Sequence, residues 1–90
     1  MKITIEHNVS PAKLDAMHVD SWATWQKGVS TFDWHYDTDE TCYILEGEAI
    51  VTPRDGQPVT IQRGDLVTFP AGLSCTWQIT EDMEKHYIFK

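Results

Sequence analysis

Short segments of alternating apolar and polar residues, separated by turn residues, make up most of this chain. In the clearest segment, residues 73–80, the apolar residues Leu73, Cys75, Trp77 and Ile79 share one face and small polar residues share the other. A period of two residues is typical of strands with one buried face. Asp-Gly, Gly-Asp and Pro-Ala-Gly turn sequences recur between such segments. The chain is therefore expected to be an all-β sandwich or barrel.

The turn residues divide the chain into predicted strands. These cover residues 1–7, 22–27, 30–36, 40–45, 49–52, 59–62, 66–69, 73–80 and 85–90. Gly47 is expected to end a strand, and the acidic segment 81–84 is expected to form a turn. One short helix is predicted from Pro11 to about Met17, because Ser10 can cap it and proline suits the first helical position.

Length and charge narrow the class of protein. Ninety residues suit one domain, 1–90, with a strand and helix in residues 1–20 and a barrel over about residues 21–90. Fourteen acidic and seven basic residues, a net charge of −7, argue against nucleic-acid and anionic-membrane partners. There is no apolar run of about 18 residues and no signal-peptide core, so a cytoplasmic location with reduced Cys42 and Cys75 is expected.

Two segments carry the pattern of a known family. Glu40 and Gly47, with six residues between them, match the end of the first cupin motif. Gly64, five residues, Pro-Ala-Gly at 70–72, two residues and then Cys75 match the second motif, which usually has histidine at the last position. The chain resembles the small cupins of the ureidoglycine aminohydrolase type, most closely over residues 32–47 and 64–73. The resemblance implies a cupin jelly-roll barrel, and for the enzymes of that family a divalent metal that assists release of ammonia from a ureido acid.

The metal ligands implied by the resemblance depend on how the first motif is aligned. Metal-binding cupins have His-x-His, three or four residues, Glu, and later one more His. A three-residue gap before Glu40 puts Trp34 and Tyr36 at the His-x-His positions, whereas a four-residue gap puts Asp33 and His35 there. The second alignment offers a set of donors suited to a metal.

Strand alternation favours the first alignment. Phe32, Trp34 and Tyr36 form one face of the segment, and Asp33 and His35 lie on the other. Turning the three aromatic rings into water would forgo several kcal/mol, at roughly 25 cal/mol per Å² of apolar area. We therefore expect the rings to face the barrel interior.

The predicted site is an aromatic pocket with one inward carboxylate. Trp34, Tyr36, Glu40, Cys75 and Trp77 are the candidate ligand-binding residues, and Glu40, Tyr36 and Cys75 are the candidate catalytic groups. No metal or other cofactor is expected. If a divalent metal binds, its candidate ligands are Glu40, Tyr36, Cys75 and His35.

Three functions compete at this stage. The first is a module or small enzyme that binds a small organic molecule in a metal-free aromatic pocket. The second is a metal-dependent cupin enzyme of the ureidoglycine aminohydrolase type, and the third is a non-catalytic interaction domain with a self-filled pocket. A homodimer is expected in each case, because Tyr43 and Leu45 make the outer face of one strand apolar and something has to cover it.

Overall fold

The computed structural model describes residues 1–89, and β-strands dominate it. The elements in chain order are β1 (Thr4–Glu6), α1 (Pro11–Ala16), a 3₁₀ turn (Val19–Ser21), β2 (Ala23–Lys27), β3 (Ser30–His35), β4 (Glu40–Pro53), β5 (Val59–Gln62), β6 (Leu66–Phe69) and β7 (Ser74–Phe89). All strand pairs are antiparallel. The prediction of an all-β jelly roll with one short N-terminal helix is confirmed.

The long strands β4 and β7 pair with each other and connect the two halves of the molecule. The first half of β4 also pairs with β6, and β6 pairs with β1. The second half of β4 pairs with β5. The first half of β7 pairs with β3 and its second half with β2. The resulting seven-stranded sheet therefore bends across β4 and β7 and encloses an interior.

The interior is apolar and rich in large side chains. Its buried residues include Ile44, Val51, Ile61, Val67, Phe69, Trp77, Ile79 and Met83. Along β7 the side chains that face the interior are those of odd-numbered residues throughout, from Cys75 to Tyr87. Along β4 the inward-facing side chains switch from even-numbered to odd-numbered residues at Gly47. Ile44 before it and Ala49 after it are both fully buried.

Two predicted strand ends are wrong, and both lie at the bend. Gly47 does not end a strand, and residues 81–84 are not a turn, since β4 and β7 continue through them. Instead, the β4–β7 register shifts between Ile44 and Ala49, so bulges absorb the bend. The acidic side chains of 81–84 are compatible with a strand there because they remain largely at the surface while Met83 is buried.

The N-terminal helix forms as expected. The Ser10 hydroxyl accepts a hydrogen bond from the Lys13 backbone N–H at 3.2 Å, and Pro11 begins the helix. The 3₁₀ turn after it was not predicted. Among residues 1–89, no helix has the length and apolarity needed to cross a bilayer.

Gly47 generates a stability prediction, because it has a φ of +93° and lies against β7. A Cβ at this position would lie 2.8 Å from both the Glu81 carbonyl oxygen and Met83 Cα, and closer still to the Asp82 carbonyl oxygen. We expect Gly47→Ala to lower the free energy of unfolding by more than about 3 kcal/mol, through left-handed strain plus backbone clash. Urea denaturation measures this.

Gly64 is the matched control. It has the same φ of +93°, but a Cβ there would meet nothing within 4 Å. Gly64→Ala should therefore cost only the backbone strain, about 1–2 kcal/mol. Equal losses in the two variants would show that close packing of β4 on β7 is not what requires glycine at position 47.

Candidate functional site

An aromatic pocket opens between the strands near the ends of β3, β4 and β7. Its volume is about 230 Å³. The residues that line it are Trp25, Phe32, Trp34, Tyr36, Glu40, Trp77, Lys85, Tyr87 and Phe89. Seven of these are aromatic, so the walls are apolar, and the two charged residues supply the strongest polar groups.

Glu40 and Lys85 form a buried ion pair in the pocket wall. Lys85 Nζ donates a hydrogen bond to Glu40 Oε2 at 2.8 Å, and the side chains of Lys85 and Glu40 are only 7% and 5% exposed. Nζ also lies 4.8 Å from the ring centroids of both Trp25 and Trp77. Because this ammonium is shielded from water, attraction to the ring faces adds to the ion pair.

Neighbouring strands hold the two charged residues in place. Glu40 is the first residue of β4 and has Phe69 of β6 and Phe89 of β7 as its cross-strand neighbours. Lys85 lies on β7 between Ile44 of β4 and Trp25 of β2. Both side chains have the inward parity of their strands, so the sheet itself directs them towards each other.

Tyr36 is fixed through its backbone and its ring. Its N–H donates to the Leu73 carbonyl at 2.9 Å, and its carbonyl accepts from the Gly72 N–H at 2.7 Å. The ring stacks on Phe69, and the Tyr36 hydroxyl accepts a hydrogen bond of 3.2 Å from the indole N–H of Trp77. Tyr36 thus has a fixed hydroxyl group in the same pocket as the ion pair.

The outer face of β3 carries the residues of the alternative metal alignment. Asp33 Oδ1 accepts a hydrogen bond from the Thr76 hydroxyl at 2.8 Å, and His35 Nδ1 is 2.7 Å from the Ser74 hydroxyl. Both contacts are cross-strand pairs on the exposed side of the sheet. The structure therefore has the ring-inward orientation of β3, and Asp33 and His35 do not meet Glu40.

Four of the five predicted pocket residues line the pocket in the structure, three of them buried and one exposed. Tyr36, Glu40 and Trp77 are buried and line the pocket. Trp34 lines it too, but it is 49% exposed and so lies at the mouth rather than in the interior. Cys75 is buried opposite Trp34 but is not among the residues that line the pocket.

Lys85 is the charged pocket residue that sequence analysis missed. Lysine is seldom buried without a partner, which favoured a surface position. The alternation of residues did indicate an inward position, since Lys85 lies on the same face of the strand as Tyr87 and Phe89. The predicted turn over 81–84 removed Lys85 from the continuous strand and hid its inward position.

Burial keeps the Tyr36 hydroxyl and the Cys42 and Cys75 thiols protonated. Removal from water, with Glu40 and Cys75 adding to the effect, raises the pKa of Tyr36 well above its ordinary range. Burial raises the pKa of the Cys42 thiol to about 12 and that of the Cys75 thiol above its ordinary value. Raised thiol pKa values do not suit a nucleophile at neutral pH, so the geometry gives no support to a catalytic Cys75.

The donor set does not fit a divalent metal. Glu40, the one residue at a customary cupin ligand position, already has the Lys85 ammonium 2.8 Å from its carboxylate. His35 faces outward and Cys75 lies outside the pocket wall. Within residues 1–89, no three His, Cys, Asp or Glu side chains converge as a metal site requires.

Comparison with known proteins identifies the family. Residues 14–87 match the family described as EutQ-like cupin domain. The chain belongs to this family. The match covers every pocket residue except Phe89, so the cupin assignment includes the site as well as the sheet.

Solved structures agree with the assignment. A DUF861 family protein from Thermotoga maritima is 50% identical, with a TM-score of 0.96 over 99% of this chain and 100% of that one. The Clostridium difficile EutQ protein is 20% identical, with a TM-score of 0.68 over 97% of this chain and 66% of that one. A EutQ protein described as putative, from Salmonella typhimurium, is 23% identical, with a TM-score of 0.66 over 99% and 69% of the two chains. No curated protein matches the sequence.

The buried ion pair generates a double-mutant prediction. Lys85→Met should lower the free energy of unfolding by about 3–5 kcal/mol, because Glu40 is left buried without its cation. Adding Glu40→Gln should recover more than about 1 kcal/mol of that loss, since the unpaired charge is gone. Urea denaturation of the two single variants and the double variant measures the coupling.

The exposed pair Lys13–Glu6 is the control for this cycle, because both its side chains are nearly half exposed. Lys13→Met and Glu6→Gln should couple by less than about 1 kcal/mol. If the changes in the free energy of unfolding at Glu40 and Lys85 are additive, the two side chains do not interact as a buried ion pair.

The raised pKa values generate a pH prediction. The unfolded chain ionises its thiols near the ordinary pKa of 9.0, whereas folded Cys42 keeps its proton to about 12. Stability is therefore unaffected below pH 9 by this group and falls above it, by up to about 1.4 kcal/mol per pH unit. Tyr36 adds a second loss that begins at its ordinary value of 10.0.

Urea denaturation between about pH 8 and about pH 11 measures this loss. Cys42→Ala should reduce the fall in the free energy of unfolding from about pH 9 upward. Tyr36→Phe should reduce it only above about pH 10. A free energy of unfolding that stays constant over this range would show that neither group is protected from ionisation by the fold.

Proposed function

We propose that this cupin binds a small organic molecule in the aromatic pocket, with the Glu40–Lys85 pair as its polar anchor. The observation that carries the proposal is a buried, hydrogen-bonded charge pair in the wall of an open aromatic cavity. Ligand pockets typically combine apolar walls with a few placed polar groups. Here the polar groups are concentrated at one point of the wall.

The volume limits the size of the ligand. About 230 Å³ corresponds to roughly seven or eight waters at about 30 Å³ each. It lies a little under the common lower range of about 300 Å³ for ligand pockets. The pocket suits a compact molecule of metabolite size, and this remaining space favours binding over the alternative of an interaction domain whose own side chains fill the pocket.

Charge limits the ligand further. The ammonium and the carboxylate cancel, so the site offers both a donor and an acceptor but little net charge. Lysine has three N–H donors, and the hydrogen bond to Glu40 uses one of them. A neutral molecule with a carbonyl, hydroxyl or amide group therefore matches the site better than a strongly charged one.

The ureidoglycine aminohydrolase activity implied by the resemblance has less support. That activity uses a divalent metal, and the carboxylate expected to bind it is paired with Lys85. We therefore propose metal-free binding as the function and do not assign metal-assisted release of ammonia to these residues.

The expected homodimer and cytoplasmic location stay predictions. Tyr43 and Leu45 are half-buried in the single chain. The side of the sheet opposite the pocket thus keeps part of its apolar surface exposed, which supports the proposal of self-association.

Ligand screening by thermal shift tests the proposal. A compound that occupies the pocket at a hundred times its dissociation constant should stabilise the fold by about 2.7 kcal/mol. Trp34→Ala should weaken such binding about tenfold, because the ring forms one wall at the mouth and its loss leaves the core intact. Compact neutral carbonyl, amide and aromatic compounds form the library.

Val29→Ala is the matched control, since Val29 is an exposed apolar residue outside the pocket. It should leave every binding constant unchanged. Compounds that bind wild type and Trp34→Ala equally would be binding elsewhere, and the absence of any compound sensitive to Trp34 would overturn the proposed function.

A further inference from the structure

Lys85 is the one buried lysine among the residues that the structure describes, and it faces the cavity. Lysine amines can form covalent imines with carbonyl compounds when a neighbouring group manages the protons. Glu40 Oε2, 2.8 Å from Nζ, is such a group. The geometry points to a covalent site: Lys85 forms an imine with a small aldehyde or ketone in the pocket, and Glu40 transfers the protons. This inference rests on the proposed function, because the carbonyl compound has to enter the pocket first.

The hydrogen bond between Lys85 and Glu40 supplies the route to the neutral amine. One proton moving along the existing hydrogen bond from Nζ to Oε2 generates the nucleophile without any change in side-chain position.

The reaction balances with the two side chains alone. The Nζ lone pair forms a C–N bond with the carbonyl carbon, and the carbonyl oxygen takes the proton held by Glu40. Nζ then returns one proton to the Glu40 carboxylate, giving a neutral carbinolamine. Glu40 protonates the hydroxyl group, the C–O bond breaks and water leaves, so that a protonated imine remains opposite an ionised Glu40. The products are one imine and one water, and no oxidant or reductant is required.

The surrounding rings favour this product. Trp25 and Trp77 lie 4.8 Å from Nζ, where a cation is attracted to their faces, and the imine keeps the positive charge at the same atom. The aromatic walls also limit the water that would hydrolyse the imine. The cavity of about 230 Å³ restricts the partner to a compact carbonyl compound.

Cys75 and Cys42 offer no competing nucleophile. Cys75 is not in the pocket wall, Cys42 is fully buried, and burial raises the pKa of both thiols. A carbonyl compound in the pocket thus meets the Lys85 amine as its only strong nucleophile among the described wall residues.

Reductive trapping on the full chain tests the inference. The protein is incubated with propanal and sodium cyanoborohydride, which reduces a protonated imine but not the aldehyde at neutral pH, and the alkylated lysines are located by peptide mass spectrometry. At low propanal concentration we expect Lys85 to be alkylated about tenfold faster than each exposed lysine, because the pocket supplies binding and proton transfer. Labelling at Lys85 should saturate with propanal, whereas surface labelling should rise linearly.

Three variants separate the pocket reaction from surface chemistry. Lys85→Met should lose the fast phase, and Lys2→Met, which removes an exposed lysine, should keep it. Glu40→Gln should slow labelling at Lys85 while the amine is still present. Circular dichroism confirms that each variant is folded, and Lys85→Met combined with Glu40→Gln replaces Lys85→Met if that single variant does not fold.

Propionamide, which has a similar size but does not form an imine, separates this inference from the proposed function. If propionamide binds with a Trp34-dependent affinity and propanal labels all lysines according to exposure, the imine inference is overturned and ligand binding stands. If neither propionamide nor any other compound of the library binds with a Trp34-dependent affinity, and Lys85 shows no fast labelling, both fail. Fast, saturable labelling at Lys85 that propionamide suppresses supports both.

Discussion

The ion pair between Glu40 and Lys85 is the interaction on which the site depends. Taking two charges out of water costs several kcal/mol each, and their attraction repays this only with good geometry and further polar or aromatic contacts. The 2.8 Å hydrogen bond and the two indole faces around Nζ supply that geometry. A fully apolar pair of similar volume would stabilise the same barrel at least as well, so stability alone gives no reason for this pair.

The bend of the long strands brings these two residues together. Glu40 begins β4, and Lys85 lies in the half of β7 that follows the bend. Had residues 81–84 formed a free turn, Lys85 would begin a separate strand whose register is set only by local pairing. The continuous β7 instead fixes its parity from Trp77 through Met83, and Gly47 allows β4 to follow. The bulges at the bend of β4 and β7 therefore help to position the site residues, although they lie outside the pocket.

Sequence patterning was sufficient for most of the fold, and it failed at particular residues for physical reasons. Alternation and turn chemistry located the strands, and burial of large rings fixed the orientation of β3. The bend was missed because acidic residues and glycine are typical of turns and also of bulged, exposed strand segments. Lys85 was missed because a lysine beside three acidic residues suggests a solvated surface. An unpartnered inward Glu40 was the available clue, since a buried carboxylate requires a cation or hydrogen-bond donors.

The chemistry of the pocket follows from which cation neutralises Glu40. A divalent metal would bring several open coordination positions and would act on a ligand as a Lewis acid. An ammonium brings N–H donors and, after loss of a proton, a lone pair, so it can hold a ligand or bond to it covalently. Tyr36 and Trp77 are linked to each other by a hydrogen bond and line the same pocket as the pair. Under the proposed function, a cupin that keeps its carboxylate but supplies its own cation from β7 uses the same barrel for a different class of ligand, and the rings at the mouth set its selectivity.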